Sequence, residues 1–367
     1  MRKRYLLSLL MSFGVCSNAG LPATAQDNVR IFVDVNLVQL NVAITDGKGR
    51  YVSGLSPQDF IISEDRIPQK IATFEEGNGP TRRLMDNPAP ADTPLTQASS
   101  KTPESRNPEP PEASPSGTDA HTPQPLQLTG ANIFILFDTS NYMYRGFAFA
   151  QDSISDFVRS LEGVSKVAFY SYSRDLSRSA PLTSDRALVL RGVRSTVAGD
   201  NAALYNCLLL TVKDAAQYTG RRVIVVFSNG PDDASLVPPE DVAELAQSTG
   251  TIIYMISTRD AQSEPISATA FERLSKATGG KAYFSKSWRD EARAFASIRD
   301  DLAHLYTFSY YPAPNPNRGW RKITVRLAGK NLQKYHVRTR DGYRLLQKAQ
   351  LSSGLSSESS VQHDPSP

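Results

Sequence analysis

The sequence predicts an α/β fold: a doubly wound, mostly parallel sheet with helices on both faces, joined by a smaller β-rich module from the N- and C-terminal segments. Two observations favour this class. Between residues 129 and 305, fully apolar runs such as 132–137 and 223–227 alternate with amphipathic runs. Apolar strands between helices are typical of a parallel sheet that is covered on both sides. Near both ends of the chain, apolar residues alternate with polar ones, which indicates half-exposed strands.

Strands and helices are predicted to follow one another through residues 129–305. Helices are indicated by apolar residues at helical spacing, such as Ile154, Phe157 and Leu161. The predicted strands cover 132–137, 167–172, 223–227, 251–256 and 281–284, and the predicted helices cover 149–161, 202–218, 238–249, 271–277 and 288–305. Ligands of such sheets bind beyond the carboxyl ends of the strands, so the loops at those ends are the first candidates for a site.

Residues 27–79 and 306–345 are predicted to be β-rich. Ile323, Val325 and Leu327 alternate with polar and basic residues, which indicates a strand with one buried side and a basic outer side. The run 56–59 (SPQD) predicts one capped helical turn, since serine is a good cap and proline suits the first helical position. Each segment is too small to bury a good core alone, so we expect the two to form one module. The basic residues assigned to the outer side are Arg321, Lys322, Arg326, Lys334, Arg338 and Arg340.

Three segments are predicted to lie outside the folded domains. Residues 1–25 have the features of an export signal, because three basic residues precede a short apolar stretch and Ala23-Thr24-Ala25 supplies small residues at cleavage spacing. Residues 80–128 are rich in Pro, Ser and Thr and predict a disordered linker. Residues 346–367 are polar and predict a disordered tail. No stretch after the signal is long and apolar enough to predict a membrane helix.

Charge and cysteine content argue against two classes of protein. Cleavage after residue 25 removes three basic residues and lowers the formal net charge from +4 to +1, and a nearly neutral chain argues against a nucleic-acid binder. Cys16 and Cys207 are the only cysteines. Cys16 belongs to the predicted signal, so the mature protein is not expected to be a disulfide-stapled domain. Cys207 falls in an apolar helical run, which favours a packing role.

No catalytic constellation is visible in the sequence. The histidines lack ligand spacing with one another or with cysteine, which argues against a zinc site. Neither a nucleophile elbow nor a glycine-rich phosphate loop is present. Asp232 and Asp233 are adjacent carboxylates, but they follow the run 229–231 (NGP), which predicts an exposed loop rather than a catalytic pair. We therefore expect that the protein is not an enzyme.

The first apolar strand ends in the run 138–142 (DTSNY). A carboxylate and a hydroxyl beyond the carboxyl end of a central strand suit a hard cation such as Mg²⁺. The same carboxylate can instead brace the following turn by accepting hydrogen bonds. From these residues alone, both interpretations stay open.

In its context, this motif resembles the start of the metal-ion-dependent adhesion site of von Willebrand factor type A (vWA) domains. Residues 133–140 (IFILFDTS) resemble the first strand of that family, and 199–208 (GDNAALYNCL) resemble the loop and helix that carry the site's threonine. Residues 223–230 (VIVVFSNG) resemble the strand that ends in the site's second aspartate. The flanking segments resemble the β module of a secreted bacterial subgroup. The resemblance covers the chain except for the signal, the linker and the tail.

The resemblance also implies that the adhesion site is degenerate. Asp138 and Ser140 match the first two places of the family's Asp-x-Ser-x-Ser motif, whereas Tyr142 stands at its last serine. Ala202 stands at the threonine position and Asn229 at the second aspartate, so an oxygen and a negative charge are missing. The candidate ligands for Mg²⁺ or Mn²⁺ are Asp138, Ser140 and Asn229, with Asp200, Asp232 or Asp233 as possible substitutes.

The resemblance implies a secreted binding module that displays its loops to a protein partner in the cell envelope or the extracellular space. The candidate partner-binding residues are Tyr142, Asp200, Asn201, Ala202, Asp232 and Asp233. A second hypothesis is a structural scaffold subunit of an envelope assembly that makes its contacts through the β segments. An enzyme is the third hypothesis.

Overall fold

A computed structural model describes residues 37–84, 130–161, 166–258 and 263–345 of the chain. These residues belong to one compact unit. The predicted signal, the predicted tail and most of the predicted linker lie outside the described residues. In the described part, no helix is long and apolar enough to cross a membrane.

The described chain begins with short strands. Residues Pro57–Asp59 form a single 3-10 turn, and the Asp59 carboxylate accepts the backbone N–H of Ser56 at 2.7 Å, which confirms the predicted capped turn. The strands are β1 (Val38–Thr45), β2 (Phe60–Glu64), β3 (Ile67–Pro68), β4 (Ile71–Glu76) and β5 (Arg82–Arg83). Because β5 pairs with β4, β structure extends into the segment 80–128 that was assigned to the linker.

The next region alternates strands and helices, as the sequence predicts. Its strands are β6 (Ala131–Asp138), β7 (Lys166–Tyr172), β8 (Leu176–Thr183), β9 (Arg221–Phe227), β10 (Thr251–Ser257) and β11 (Ala282–Phe284). Its helices are α1 (Phe147–Ser160), α2 (Arg186–Arg194), α3 (Leu204–Ala216), α4 (Pro239–Thr249), α5 (Pro265–Thr278) and α6 (Trp288–His304). The sheet order is β11-β10-β9-β6-β7-β8, and every pair is parallel except β7 with β8. This α/β domain confirms the predicted fold class.

The core of the α/β domain lies on both faces of the sheet. Successive side chains of a strand point to opposite faces, so β6 sends Ile133 and Ile135 to one side and Phe134 and Leu136 to the other. Helices α1, α2 and α6 cover the first side, and α3, α4 and α5 cover the second. Each fully buried leucine, isoleucine or phenylalanine contributes about 1.5–3 kcal/mol. A strand covered on both faces therefore needs no polar residue.

Two elements of the α/β domain, β8 and α2, are absent from the predicted set. β8 is an edge strand with exposed polar residues and Pro181, which is tolerated because an edge strand has one unpaired side. α2 is short and is capped by Asp185, whose carboxylate accepts the backbone N–H groups of Ala187 and Leu188 at 2.8 and 3.2 Å. β8 lacks the apolar run that marks the other strands, whereas α2 has apolar residues at 187–190 but is only nine residues long.

The chain ends with strands that complete the first ones. They are β12 (Tyr306–Tyr310), β13 (Trp320–Leu327), β14 (His336–Arg338) and β15 (Gly342–Arg344). The resulting sheets have the orders β14-β1-β12-β4-β5 and β15-β13-β2-β3, and their shared core includes Phe60, Phe74 and Phe308. We call these nine strands the β module. Because the module uses strands from both ends of the chain, it is the composite unit that the sequence leads us to expect.

A buried arginine joins the β module to the amino ends of the parallel strands. Arg221, the first residue of β9, is 2% exposed. Its guanidinium lies 2.9 Å from the Glu75 carboxylate on β4. It also donates to the carbonyl of Leu302 on α6, at 2.7 Å, and to the carbonyl of Gly77. A charge in this position is stable only because an anion and two carbonyls surround it.

The predicted basic outer side of the C-terminal strands is wrong for three of its arginines. Arg321 is buried and pairs with Glu64 at 2.8 Å. Arg338 pairs with the fully buried Asp301 on α6. Arg340 is buried and donates to the carbonyl of Gln247 at the end of α4. These side chains point inward because acids and carbonyls from distant parts of the chain meet them there.

The substitution Arg221→Met is expected to lower the free energy of unfolding by about 3–5 kcal/mol, because it leaves the Glu75 carboxylate buried without its partner. Urea denaturation of the full chain measures the change. Arg159→Met is the matched control: Arg159 pairs with Asp156 in an exposed ion pair, which contributes at most about 1 kcal/mol. Equal losses in the two variants would contradict the importance of the buried pair.

Cys207 is expected to resist modification in the folded protein. Its side chain on α3 is buried against the sheet, and burial raises the pKa of the thiol to about 12. A raised pKa keeps the thiol protonated at pH 8, and the protonated form is a poor nucleophile. An aromatic disulfide reagent should therefore modify Cys207 only after denaturation, as mapped by mass spectrometry. Rapid modification of the native protein at pH 8 would contradict the prediction.

Candidate functional site

Asp138 lies at the carboxyl end of β6, between the ends of β7 and β9. Its side chain is fully buried. One carboxylate oxygen accepts the backbone N–H of Ser140 at 2.9 Å, and the other accepts the hydroxyl of Ser228 at 2.7 Å. Tyr172, at the end of β7, donates its hydroxyl to Ser228 Oγ at 3.0 Å. Burial raises the pKa of Asp138. Asp138 and Ser228 thus connect the ends of three neighbouring strands.

Asn229 connects the loops that follow β6, β9 and β10. Its amide nitrogen donates to the backbone carbonyl of Tyr142 at 2.8 Å. Its amide oxygen accepts the backbone N–H of Thr258 at 3.2 Å and also the Thr258 hydroxyl. Both ends of the amide are therefore used in contacts between loops.

Asp232 provides an acceptor that α3 lacks at its start, and Asp233 provides one for the loop that precedes the helix. Ala203 precedes this helix and has no side-chain oxygen to cap it. Asp232 accepts the backbone N–H of Tyr205 at 3.0 Å, and Asp233 accepts that of Ala202 at 2.8 Å. Unpaired N–H groups of a first helical turn need such acceptors. The two carboxylates thus link the loop after β9 to the loop before α3.

The other predicted partner-binding residues lie in the loop before α3. Asp200 and Asn201 are exposed, whereas Ala202 is fully buried. Tyr144 donates its hydroxyl to the Asp200 carboxylate at 3.1 Å and to the carbonyl of Gly199 at 2.8 Å. Because Ala202 is fully buried, its methyl group packs inside the loop and is not accessible to a partner.

The carboxyl edge of the sheet carries a concentration of exposed apolar side chains. We call this edge, formed by residues 139–146, 195–203 and 228–238 with the first turns of α1 and α5, the loop face. The four most exposed large apolar side chains among the described residues all lie on it: Leu236 (93%), Ile266 (87%), Val197 (79%) and Phe149 (64%). Single exposed apolar residues are ordinary, and the presence of all four at one edge makes this edge the candidate interaction surface.

Sequence patterns do not single out Leu236, Ile266 or Val197. Each is one apolar residue within a loop or at a helix start, and only the fold shows that they share an edge. The feature of the sequence that could have identified these segments is that each follows a predicted parallel strand or precedes a predicted helix. That position assigns these segments to the carboxyl edge.

A groove of about 800 Å³ runs between α4 and α5 and ends at Trp320. Its walls are mainly alanine, proline and the apolar parts of longer side chains, and its lining contains no serine, histidine or cysteine. Glu244 in its wall is paired with Arg344 at 2.5 Å. The groove therefore offers shape and apolar surface, and the hydroxyl of Thr269 in its lining donates to the backbone carbonyl of Pro265.

Residues 132–297 match the family model of the von Willebrand factor type A domain. These residues form a vWA domain. No curated protein matches the chain. Together with Asp138, the loop face contains the residues that the sequence resemblance assigns to the family's adhesion site.

Several solved structures are similar to this chain. An aerotolerance-related membrane protein from Bacteroides fragilis is 19% identical, with 47% of this chain and 98% of that chain covered and a TM-score of 0.40. The protein BatB from Bacteroides thetaiotaomicron is 16% identical, with 46% and 98% covered and a TM-score of 0.37. A von Willebrand factor type A protein from Catenulispora acidiphila is 11% identical, with 61% and 69% covered and a TM-score of 0.39.

The oxygen donors around Asp138, where the resemblance assigns the adhesion site, fit a divalent ion poorly. Ser140 Oγ is buried and has no hydrogen-bond partner among the described residues, so one hydroxyl is left for an ion. Asp138 supplies a single carboxylate, Asn229 uses its amide between loops, and Ala202 has no side-chain oxygen. Across the described ranges, no three His, Cys, Asp or Glu side chains are grouped to hold a metal. Mg²⁺ and Mn²⁺ prefer several hard oxygen ligands, which this set does not supply.

The substitution Asp232→Ala is expected to lower the free energy of unfolding by about 0.5–2 kcal/mol, because the Tyr205 N–H loses its acceptor. Urea denaturation measures the loss. Glu272→Ala, on the exposed side of α5, serves as control and should stay within about 0.5 kcal/mol of the unmodified protein. A loss no larger than that of the control would show that Asp232 does not cap α3.

Proposed function

We propose that this protein is an exported, non-catalytic binding module whose vWA domain contacts a protein partner through the loop face. The observation that carries the proposal is the location of the most exposed apolar side chains, which all lie on that edge. Burying such side chains against a partner releases about 25 cal/mol for each Å² of apolar surface. An edge that exposes them in the free protein is favourable for association.

The loops of this face are preorganised for binding. Asp138 and Ser228 together connect three strand ends, Asn229 connects three loops, Asp232 caps α3 from a neighbouring loop, and Asp233 holds the loop before α3. A surface that is already ordered loses less conformational entropy when it binds. The hydrogen bonds that occupy these polar groups thus favour a binding role for the exposed residues around them.

The placement of the β module supports the same use of the loop face. Arg221 and Arg338 attach the module to the amino ends of the parallel strands and to α6. The carboxyl ends are at the opposite edge of the sheet. A partner can therefore reach the loop face without displacing the β module.

A non-catalytic role agrees with the burial and the hydrogen bonding of the carboxylates at the loop face. Asp138 is buried and hydrogen-bonded, and the carboxylates of Asp232 and Asp233 accept backbone N–H groups. A general acid or base must reach the proton that it transfers. We expect a panel of esterase, peptidase, phosphatase and glycosidase substrates to give no turnover. Turnover that disappears in Asp138→Ala would contradict the non-catalytic role.

Site-specific photo-crosslinking in the producing cells tests the binding role. A photoreactive amino acid at Val197, Leu236 or Ile266 is expected to capture the same protein, because the three positions share one face. Position Ile61 on the β module is the matched control, since its side chain is also exposed but lies outside the loop face. The products are identified by mass spectrometry, and Leu236→Asp should abolish capture from Val197.

The crosslinking result also separates the two binding hypotheses. Capture from Ile61 but from none of the loop positions would replace the loop-face proposal with a scaffold that uses its β module. Capture from none of the four positions would contradict both forms of contact. Because export is part of the proposal, the protein recovered from the periplasm or the medium is expected to begin at Gln26.

A further inference from the structure

The loops that surround the adhesion-site position are joined directly by side chains. Asn229 donates to the carbonyl of Tyr142 at 2.8 Å and accepts from Thr258 at 3.2 Å. These hydrogen bonds connect the loop after β6 with the loop after β10 through a residue of the loop after β9. The amide oxygen of Asn229, which is the atom that could bind an ion, already accepts hydrogen bonds from Thr258.

A second set of contacts runs through Tyr142 and Asp233. The Tyr142 hydroxyl donates to the Asp233 carboxylate at 3.3 Å. The other oxygen of that carboxylate accepts the backbone N–H of Ala202 at 2.8 Å. The loop after β6 is thus connected to the loop before α3 at two of the three positions that depart from the family motif, one occupied by tyrosine and the other by alanine. Asp233 bonds to both of these residues and so links the two positions.

The charge around Asp138 is also unsuited to an ion. Its two oxygens are engaged by the Ser140 N–H and the Ser228 hydroxyl, and the neighbouring adhesion-site positions carry a neutral amide and a methyl group. Among the adhesion-site positions Asp138 alone supplies a carboxylate to a divalent cation, and a cation bound there would break hydrogen bonds that are already made. In the interior of a protein, hydrogen bonds that are broken in this way are not replaced by hydrogen bonds to water.

We propose that the hydrogen bonds of Asn229 and Tyr142 hold the loop face in place of a metal ion, and that the face consequently recognises apolar protein surface without an ion-bridged carboxylate from the partner. The second half of this statement rests on the function proposed above. Its first half concerns the chain alone and is tested without a partner.

Thermal unfolding of the full chain in Mg²⁺, in Mn²⁺ and in EDTA tests the first half. The unfolding midpoint of the unmodified protein should be the same in the three solutions, because a ligand raises the midpoint only if it binds the native state. Asn229→Ala should lower the midpoint by about 2–4 °C in all three solutions, as expected for the loss of a hydrogen-bonded link. Asn201→Ala, in an exposed position of the neighbouring loop, is the control and should leave the midpoint unchanged.

Two results would overturn the first half. One is a midpoint that rises in Mg²⁺ or Mn²⁺ for the unmodified protein and no longer rises in Asp138→Asn, which would show that the site holds an ion. The other is an Asn229→Ala variant as stable as the control. If Asn229→Ala does not fold, Asn229→Gln keeps the amide but moves it by one methylene, and an unchanged midpoint in that variant would equally contradict the link.

Crosslinking from Leu236 in the presence of EDTA or Mg²⁺ tests the second half. Equal capture in the two solutions supports recognition without an ion, whereas capture in Mg²⁺ alone would overturn it and leave the proposed binding function intact. Absence of capture in both solutions would contradict the binding function, and the unfolding experiment would still decide how the loops are held.

Discussion

The buried arginine contacts at the amino ends of the parallel strands are the interaction on which the rest of the arrangement depends. A guanidinium keeps its charge at any ordinary pH, so it is stable away from water only where an anion and further acceptors surround it. Arg221 finds these groups only when Glu75 of the β module and the Leu302 carbonyl of α6 come together. The β module is thereby held at one edge of the sheet, and the loop face is left at the other.

The α/β domain could be predicted because its strands are apolar on both faces, and few other structures bury such runs. The β8 edge strand could not, since its exposed side chains and Pro181 look like a loop. The inward orientation of the Arg321 and Arg338 side chains also could not be predicted from the local alternation of residues. Alternation shows that a strand has two sides, but the acids that draw an arginine inward lie on other elements, as Glu64 and Asp301 do.

The sequence predicts where the candidate site lies in the fold, but it predicts fewer of the contacts and exposures of its residues. The order of the motifs places Asp138 and Asn229 after neighbouring parallel strands, and the structure brings both to the carboxyl edge. The role of Asp232 could have been inferred from a missing feature, because Ala203 leaves α3 without a local cap. The exposed position of Leu236 depends on how several loops pack, and no short pattern carries that information.

The order of strands in the β module has a consequence for the synthesis of the chain. β12 lies between β1 and β4 in the five-stranded sheet, yet it follows the whole vWA domain in the sequence. Strands β1 and β4 therefore lack their common neighbour until the ribosome has passed residue 310. During that interval both strands have unpaired edges, and such edges are where incomplete chains associate with one another. A translational pause ahead of β12 would thus expose the N-terminal strands to aggregation, so the fold favours rapid completion of its C-terminal segment or protection by a chaperone.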